Sequence, residues 1–174
     1  MSVRAIEHIG ITVPDVEQAT KFFVDAFDAR SLYDIIDRPI SGQWLEAALG
    51  VPKGTTIRSI RVLRLGNGPN IELFDYSVSD QQRPAIPSDL GIQHVALYVD
   101  DIDAAAGKAE RAGATILGGG PSDLPGAEAG PGNRFVYTRS PWGSTIELVS
   151  YPNTQVYESL TNARKWRPEP RTDA

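Results

Sequence analysis

The sequence predicts an α+β fold made of two tandem strand–helix–strand–strand–strand (βαβββ) modules. One phrase opens each module, Ile6-Glu7-His8 in the first and Ile92-Gln93-His94 in the second. Another phrase closes each module, Ile71-Glu72-Leu73 and then Ile146-Glu147-Leu148. His94 follows His8 by 86 residues and Glu147 follows Glu72 by 75, so the first module contains 11 additional residues. Self-similarity at a nearly fixed spacing indicates a duplicated structural unit.

Composition and charge narrow the class of protein. The 174 residues suffice for one domain, or for two small fused modules, with a buried core. The chain has 22 acidic and 17 basic residues and no Lys/Arg run, which argues against nucleic acid or an anionic membrane as a partner. Because cysteine is absent, disulfides, thiolate metal sites and cysteine nucleophiles are excluded. No apolar run approaches the ~18 residues of a membrane span and no signal segment opens the chain, so a cytoplasmic protein is expected.

The first module is expected to occupy about residues 3–78. Alternation of apolar and polar residues predicts its strands at residues 5–13, 31–37, 57–65 and 70–76. Asp15 is a good N-cap for a helix that runs to about Phe27, with Gln18 as the capping-box partner. Glu7, beside the first histidine, is expected to be a solvated surface residue.

Two segments interrupt the repeated plan and are expected to determine specificity, since loops carry function on a rigid scaffold. The first is an insertion at residues 38–56. Within it, residues 43–49 could make two turns of helix that end at Gly50, because Pro52 forbids continuation. The second is the loop Gly118–Gly132, rich in glycine and proline, which is expected to be flexible, a lid or disordered.

The second module repeats the plan over about residues 91–151, after a linker at residues 79–90. Its strands are predicted at residues 93–99, 114–117, 134–138 and 145–151. Asp101 is the predicted N-cap of a helix that ends at Gly113. The apolar stripe of that helix is predicted to consist of Ile102, Ala105, Ala109 and Ala112.

Strand alternation places four polar side chains opposite the apolar strand faces, those of His8, Glu72, His94 and Glu147. The two sheets are expected to join into a cupped, partly open mixed β-barrel with the helices outside. This single domain would span residues 1–151 and leave a polar C-terminal tail at residues 152–174, with at most one short helix. The four side chains would then face one cleft. Two imidazoles and two carboxylates suit a divalent first-row metal ion, which keeps two of six positions for water or a chelating substrate.

A less specific interpretation applies to each histidine taken alone. A lone strand histidine is more often a satisfied core or surface residue than a metal ligand. Here there are two histidines, and each has a glutamate at the equivalent position of the repeat. This pattern favours metal binding over a purely structural role.

Four motifs carry a family resemblance. They are I-x-H near Ile6 and Ile92, V-x-D-[VI] near Val13 and Val99, Pro141-Trp142-Gly143, and I-E-L-x-x-Y at Ile71 and Ile146. Over about residues 3–151 the chain resembles the vicinal oxygen chelate superfamily, which includes glyoxalase I, methylmalonyl-CoA epimerase, extradiol dioxygenases and bleomycin-resistance proteins. The resemblance implies one divalent metal ion (Zn, Fe, Co, Ni or Mn) and a homodimer. The implied metal ligands are a first-strand and a last-strand residue of each module, namely His8, Glu72, His94 and Glu147.

The resemblance implies an isomerase, an epimerase or a glyoxalase-like lyase that moves a proton on a small substrate chelated through vicinal oxygens. Glu147 is the favoured base and Glu72 its pseudo-symmetric partner, so both are candidate catalytic residues as well as ligands. An extradiol-type dioxygenase is an alternative, but its chemistry needs two histidines and one carboxylate, and Glu72 would crowd it. A non-catalytic binder, as among the bleomycin-resistance proteins, does not need the complete ligand set that this chain retains.

Overall fold

The computed structural model describes residues 3–169 and confirms the predicted α+β class. Within that range, residues 3–82 form one compact unit and residues 83–169 form a second. Each unit contains one five-stranded sheet that stays open, with both parallel and antiparallel pairings. None of the helices within residues 3–169 combines the length and apolar character that a membrane crossing requires.

The first unit consists of a mixed sheet and two helices. Its elements are β1 (His8–Val13), α1 (Val16–Phe27), β2 (Arg30–Asp34), β3 (Ile40–Ser41), α2 (Gln43–Leu49), β4 (Thr56–Arg64) and β5 (Asn70–Ser77). The strand order is β1-β5-β4-β2, and β3 also pairs with β4. β1 and β5 are parallel, which sets His8 beside Asn70 and Gly10 beside Glu72.

β1 begins at His8, three residues later than predicted. Its ladder partner β5 begins at Asn70, directly after the turn at residues 66–69. The described residues before His8 therefore lie outside the sheet. They still accept one backbone hydrogen bond from β5, which runs from the Asn70 N–H to the Glu7 carbonyl. β2 is also shorter at one end than predicted, because it ends at Asp34 instead of at residue 37.

α1 begins and ends as predicted, because its N-cap and its apolar stripe are both local features of the sequence. The Asp15 carboxylate accepts a hydrogen bond of 2.8 Å from the Gln18 N–H. The helix buries Val16, Ala19, Phe22, Phe23 and Ala26. They pack against β4 and β5, where Leu63 and Leu73 are fully buried. Each large side chain buried in this way contributes about 1.5–3 kcal/mol to folding.

The insertion covers the other face of the first sheet. α2 spans the predicted residues and ends at Gly50, whose φ of 66° is the left-handed conformation that glycine favours. Leu45 of α2 is 1% exposed and packs with Ile57 and Ile60 of β4. The partly buried side chains around this cluster are Ile36, Ile40, Val51, Phe74 and Tyr76. Because Phe74 and Tyr76 alternate in phase with Glu72, the insertion builds an apolar region on the Glu72 face.

The second unit repeats the plan without the long insertion. Its elements are β6 (Val95–Tyr98), α3 (Ile102–Arg111), β7 (Thr115–Ile116), β8 (Ser122–Asp123), β9 (Arg134–Arg139) and β10 (Thr145–Ser150), with short 3₁₀ helices at Gly126–Glu128 and Val156–Ser159. The strand order is β6-β10-β9-β7, and β8 also pairs with β9. β6 and β10 are parallel, so Glu147 lies beside Ala96 on one side and Tyr137 on the other.

α3 follows the prediction at its N-terminus and departs from it along its buried face. The Asp101 carboxylate accepts a hydrogen bond of 2.9 Å from the Ala104 N–H, as an N-cap does. Ala106 is buried, whereas the predicted Ala105 is only half-buried. The buried positions are thus spaced four and then three residues apart after Ile102, a regular helical stripe.

The Gly/Pro-rich loop, predicted to be flexible or disordered, contains regular structure. β8 pairs with β9, and a 3₁₀ helix follows at Gly126–Glu128. Leu124 is 5% exposed, and its N–H donates to the Asn133 carbonyl at 2.8 Å. The described part of the C-terminal tail carries one short helix, Val156–Ser159, in agreement with the sequence.

Candidate functional site

The first candidate pair joins β1 to β5. Ile9 and Ile11 turn toward the α1 side, so His8 and Gly10 turn the other way, as does Glu72 across the ladder. The His8 Nε2 atom lies 3.4 Å from the Glu72 Oε2 atom. The His8 side chain is 44% exposed and that of Glu72 18%. A strand histidine and a strand glutamate thus meet on the face away from the main helix, as the sequence predicted.

The second nitrogen of His8 is held by its sequence neighbour. His8 Nδ1 lies 2.5 Å from Glu7 Oε2, and the other oxygen of Glu7 accepts a 3.0 Å bond from the Asn70 side-chain amide. The bond to Glu7 raises the pKa of His8 above its ordinary value, and the charge of Glu72 acts in the same direction. An Nδ1–H donated to Glu7 leaves the Nε2 lone pair of the neutral ring directed at Glu72. Glu7 is exposed, as predicted, but it also orients the imidazole.

The second candidate pair occupies the equivalent place in the other unit. His94 directly precedes β6, and its Nε2 atom lies 3.0 Å from Oε2 of Glu147 on β10. This pair is more enclosed, with 24% of the His94 side chain and 14% of the Glu147 side chain exposed. His94 Nδ1 is buried and has no hydrogen-bond partner among the described residues. Gln93 stands where the first module has Glu7, so the two imidazoles are held differently.

Aromatic and charged side chains surround Glu147. Tyr137 lies opposite it across the ladder, and its ring meets that of His94 edge-on at 5.3 Å. Burial raises the pKa of the Glu147 carboxyl above its ordinary value, and the charge of Glu128 adds to the increase. His94 and Lys165 act in the opposite direction on the same pKa. Burial, followed by the charges of Glu147 and Glu128, raises the pKa of Tyr137, so its hydroxyl keeps its proton at neutral pH.

The four predicted ligands come together as two histidine–glutamate pairs, one in each unit. Within residues 3–169, no group of three or more His, Cys, Asp or Glu side chains has the arrangement of a metal site. The donor chemistry nevertheless fits a divalent ion, since each pair directs an imidazole nitrogen at a carboxylate oxygen. A cation bound between the two groups would find one nitrogen and one oxygen ligand in each pair.

Three residues near Glu147 were missed by the sequence interpretation: Glu128, Tyr137 and Lys165. A signal for Tyr137 did exist, because it lies in the strand before β10 and alternates in phase with Phe135. Glu128 lies in the Gly/Pro-rich loop and Lys165 in the tail, where no periodicity predicts which way a side chain points. Only the folded path of the loop and tail reveals them.

The model of one protein family matches residues 7–137, and its description is glyoxalase/bleomycin resistance protein/dioxygenase superfamily. The chain belongs to this superfamily. It is the superfamily that the repeated motifs indicated, and its members typically use a divalent metal ion. The matched segment begins at Glu7 and includes His8, Glu72 and His94, while Glu147 lies beyond it.

One relative within the superfamily is an epimerase. The chain is 38% identical over 168 residues to a 2-epi-5-epi-valiolone epimerase from Actinomyces sp., a match that covers 95% of this chain and 89% of the relative. Two solved structures share the fold. A glyoxalase family protein from Bacillus cereus aligns with a TM-score of 0.66 at 21% identity, over 86% of this chain and 95% of that one. A glyoxalase/bleomycin resistance protein/dioxygenase domain from Frankia sp. aligns with a TM-score of 0.61 at 16% identity, over 86% and 98%.

Proposed function

We propose that the protein is a divalent-metal-dependent epimerase that moves a proton on a small substrate bound through vicinal oxygens. The observation that carries this proposal is the histidine–glutamate pair at the equivalent position of both units. The 38% identity to an epimerase over 95% of the chain favours epimerisation over the lyase and dioxygenase chemistries of the superfamily. We take 2-epi-5-epi-valiolone, named in that relative, as the first substrate to test.

The proposed metal ligands are His8, Glu72, His94 and Glu147. Neutral imidazole and carboxylate donors suit Zn, Fe, Co, Ni or Mn, and no cysteine is present to select a softer ion. When bound, such an ion supplies Lewis acidity to a substrate oxygen and makes the adjacent carbon more acidic. The protein contributes the orientation of the donors, through β1 with β5 in one unit and β6 with β10 in the other.

Glu147 is the proposed base. Burial makes its carboxylate more basic than an exposed one, since its pKa is raised. A more basic carboxylate removes a proton from carbon more readily, and a positioned base is typically worth ~10²–10⁴ in rate. Epimerisation also requires a proton to return to the face opposite the one it left. We propose that Glu72, the repeat equivalent of Glu147, supplies that proton from its own carboxyl group. Exchange with solvent then removes the proton from Glu147 and restores the one on Glu72.

The two units offer different surroundings for a substrate. Glu72 shares its face with the apolar cluster built by α2, including Phe74 and Tyr76. Glu147 lies beside Tyr137 across the ladder, and the charges of Glu128 and Lys165 act on its pKa.

Glutamine replacement of each glutamate tests the assignment. Glu147→Gln keeps an oxygen donor and the volume of the side chain, so much of the metal should remain while proton exchange falls by ~10²–10⁴. Solvent deuterium entering 2-epi-5-epi-valiolone, followed by NMR, measures the exchange, and elemental analysis measures the metal. Glu110→Gln, the same change at an exposed position on α3, is the matched control and should exchange at the parent rate.

Two results would contradict this function. One is proton exchange at the parent rate in Glu147→Gln, which would remove Glu147 as the base. The other is oxygen uptake with a catechol together with no deuterium incorporation by the parent, which would favour the dioxygenase alternative.

A further inference from the structure

The C-terminal tail folds back onto the Glu147 face of the second sheet. Tyr151 directly follows β10, and its ring lies 4.9 Å from that of Tyr98 on β6, which shares a face with Glu147. Three successive residues of the tail cover Tyr151. Lys165 Nζ lies 5.0 Å from the ring centroid, the Arg167 guanidinium 4.8 Å from it, and the Trp166 carbonyl accepts a 3.4 Å bond from the Tyr151 hydroxyl. The tail therefore covers one end of the face that carries Glu147.

A buried polar network holds the tail against the Gly/Pro-rich loop. Gln155, 1% exposed, donates from its amide to the Glu128 carbonyl at 3.3 Å. Asn133, which is fully buried, accepts a 3.1 Å bond from the Asn153 N–H. The Val156 N–H donates to the Ala129 carbonyl at 3.1 Å. Because these bonds join backbone to buried amides, they fix where the next residues of both segments lie.

Lys165 and Glu128 are brought together by this arrangement. The Lys165 ammonium forms an ion pair with Glu128 Oε1, and the Lys165 N–H donates to the Tyr157 hydroxyl at 3.0 Å. Lys165 Nζ also lies 5.0 Å from the centroid of the Tyr151 ring, at the end of the face that carries Glu147. A cation from the tail, held by a carboxylate from the loop, thus lies on the same face as the proposed base.

A purely structural role for the ion pair is the weaker interpretation. The side chains of Lys165 and Glu128 are 40% and 44% exposed, and ion pairs as open as this contribute little to stability. The buried bonds of Gln155 and Asn133 already fasten the tail to the loop. An ammonium has three donors, and an open Lys165 can direct one of them at a ligand while Glu128 keeps another.

We propose that Lys165 is a substrate-binding residue whose ammonium donates to a negatively charged or strongly polarised substrate oxygen, and that Glu128 positions it. The assignment rests on the proposed function, because proton removal next to a carbonyl builds negative charge on oxygen. The tail then belongs to the site: it supplies the cation, and the loop sets the direction of the cation.

Oxalate is a suitable probe, since it carries vicinal oxygens with negative charge. Its binding is measured by calorimetry with the full chain, with and without one equivalent of Mn²⁺. Lys165→Met should weaken oxalate binding about tenfold, Lys165→Arg should restore most of it, and Glu128→Gln should fall between them. Lys21→Met is the control, because Lys21 also pairs with a carboxylate, Asp25, and the variant loses the same charge. Circular dichroism melting should show all four variants folded.

The outcomes separate this inference from the proposed function. Oxalate binding by folded Lys165→Met at the parent strength, or a loss in Lys21→Met as large as in Lys165→Met, would overturn the role of Lys165. Charge-dependent oxalate binding without deuterium exchange on 2-epi-5-epi-valiolone would support Lys165 and overturn the proposed reaction. If the parent takes up no Mn²⁺, oxalate binding to the metal-free protein tests the role of Lys165 through the same ranking of variants.

Discussion

At the scale of single residues, the two imidazoles differ in what holds their Nδ1 atoms. His8 Nδ1 faces Glu7, which Asn70 in turn anchors, whereas His94 Nδ1 is buried without a partner among the described residues. A carboxylate behind an imidazole fixes its tautomer and makes it a more basic ligand. The duplicated modules have therefore kept the same two residue types and changed the support behind the histidine.

The support from Glu7 predicts a raised pKa for His8 in the metal-free protein. The chain has only two histidines, so the proton NMR spectrum contains two sets of imidazole signals. The set from His8 should titrate above the ordinary histidine pKa, because the bond to Glu7 and then the charge of Glu72 favour the protonated ring. Glu7→Gln should shift that pKa downward. His8→Ala assigns the signals, and a His8 pKa that Glu7→Gln leaves unchanged would contradict the role of Glu7.

The same shift has a consequence for stability and for metal uptake. A pKa raised in the folded state adds stability that is full below the unfolded pKa and is lost as pH rises through the folded pKa. Metal binding needs the neutral ring, so protons compete with the metal up to a higher pH at His8 than at an unshifted imidazole. Metal affinity measured across pH should therefore fall as the pH drops through the His8 pKa, and in Glu7→Gln the fall should begin at a lower pH.

At the scale of elements, local signals predicted the repeated parts of the fold. Asp15 and Asp101 both cap helices, and β5 and β10 lie where the Ile-Glu-Leu phrases are. The Gly/Pro-rich loop was misjudged because its order depends on partners far along the chain. Gln155 and Asn153 supply bonds that no window of sequence around residue 125 contains. Composition alone therefore predicted flexibility where the fold provides a buried network.

Gly130 lies where the backbone of the loop packs tightly against the tail. An added Cβ would overlap the Asn133 side-chain amide and the Thr154 carbonyl, and a carbonyl cannot move aside as a flexible side chain can. Gly130→Ala should therefore lower the free energy of unfolding by about 1–3 kcal/mol, as overpacking typically does. Denaturant unfolding followed by circular dichroism measures the change.

The matched control is another glycine-to-alanine change in the same unit. Gly107 lies within α3, and an added Cβ would meet only Arg111 Nη1, at 3.3 Å, the end of a flexible side chain. Alanine is favoured over glycine in a helix by roughly 0.5–1 kcal/mol, so Gly107→Ala should be neutral or stabilising. If Gly130→Ala were as stable as Gly107→Ala, the loop would not be packed against the tail as the structure shows.

At the scale of the whole molecule, duplication has produced two sheets, and different segments of the chain cover a face of each one. The first sheet carries an apolar cover, where Leu45 packs with Ile57 and Ile60. The second carries a charged cover, in which the tail brings Lys165 and Arg167 over Tyr151. Repeat symmetry predicted the histidine–glutamate pairs but neither cover, because the insertion and the tail are the parts that the repeat does not share. Specificity is expected to reside in these unshared parts.

Metal binding, as proposed, should stabilise the folded chain, because only folding brings the ligands together. A ligand that binds only the folded state at 100 times its Kd adds about 2.7 kcal/mol to the free energy of unfolding. For a chain of this size each kcal/mol raises Tm by about 2–4 °C, so chelator treatment should lower Tm by roughly 5–11 °C.

Single and double histidine variants test whether both modules serve one ion. If one ion uses both pairs, His8→Ala and His94→Ala should each abolish most of the metal uptake, and each should remove the chelator-dependent shift in Tm. Two independent sites would instead lose half of the metal in each single variant and all of it in the double variant. Elemental analysis with calorimetric melting distinguishes these patterns, and Glu110→Gln should behave as the parent. Full metal content in the double variant would show that neither pair binds the ion.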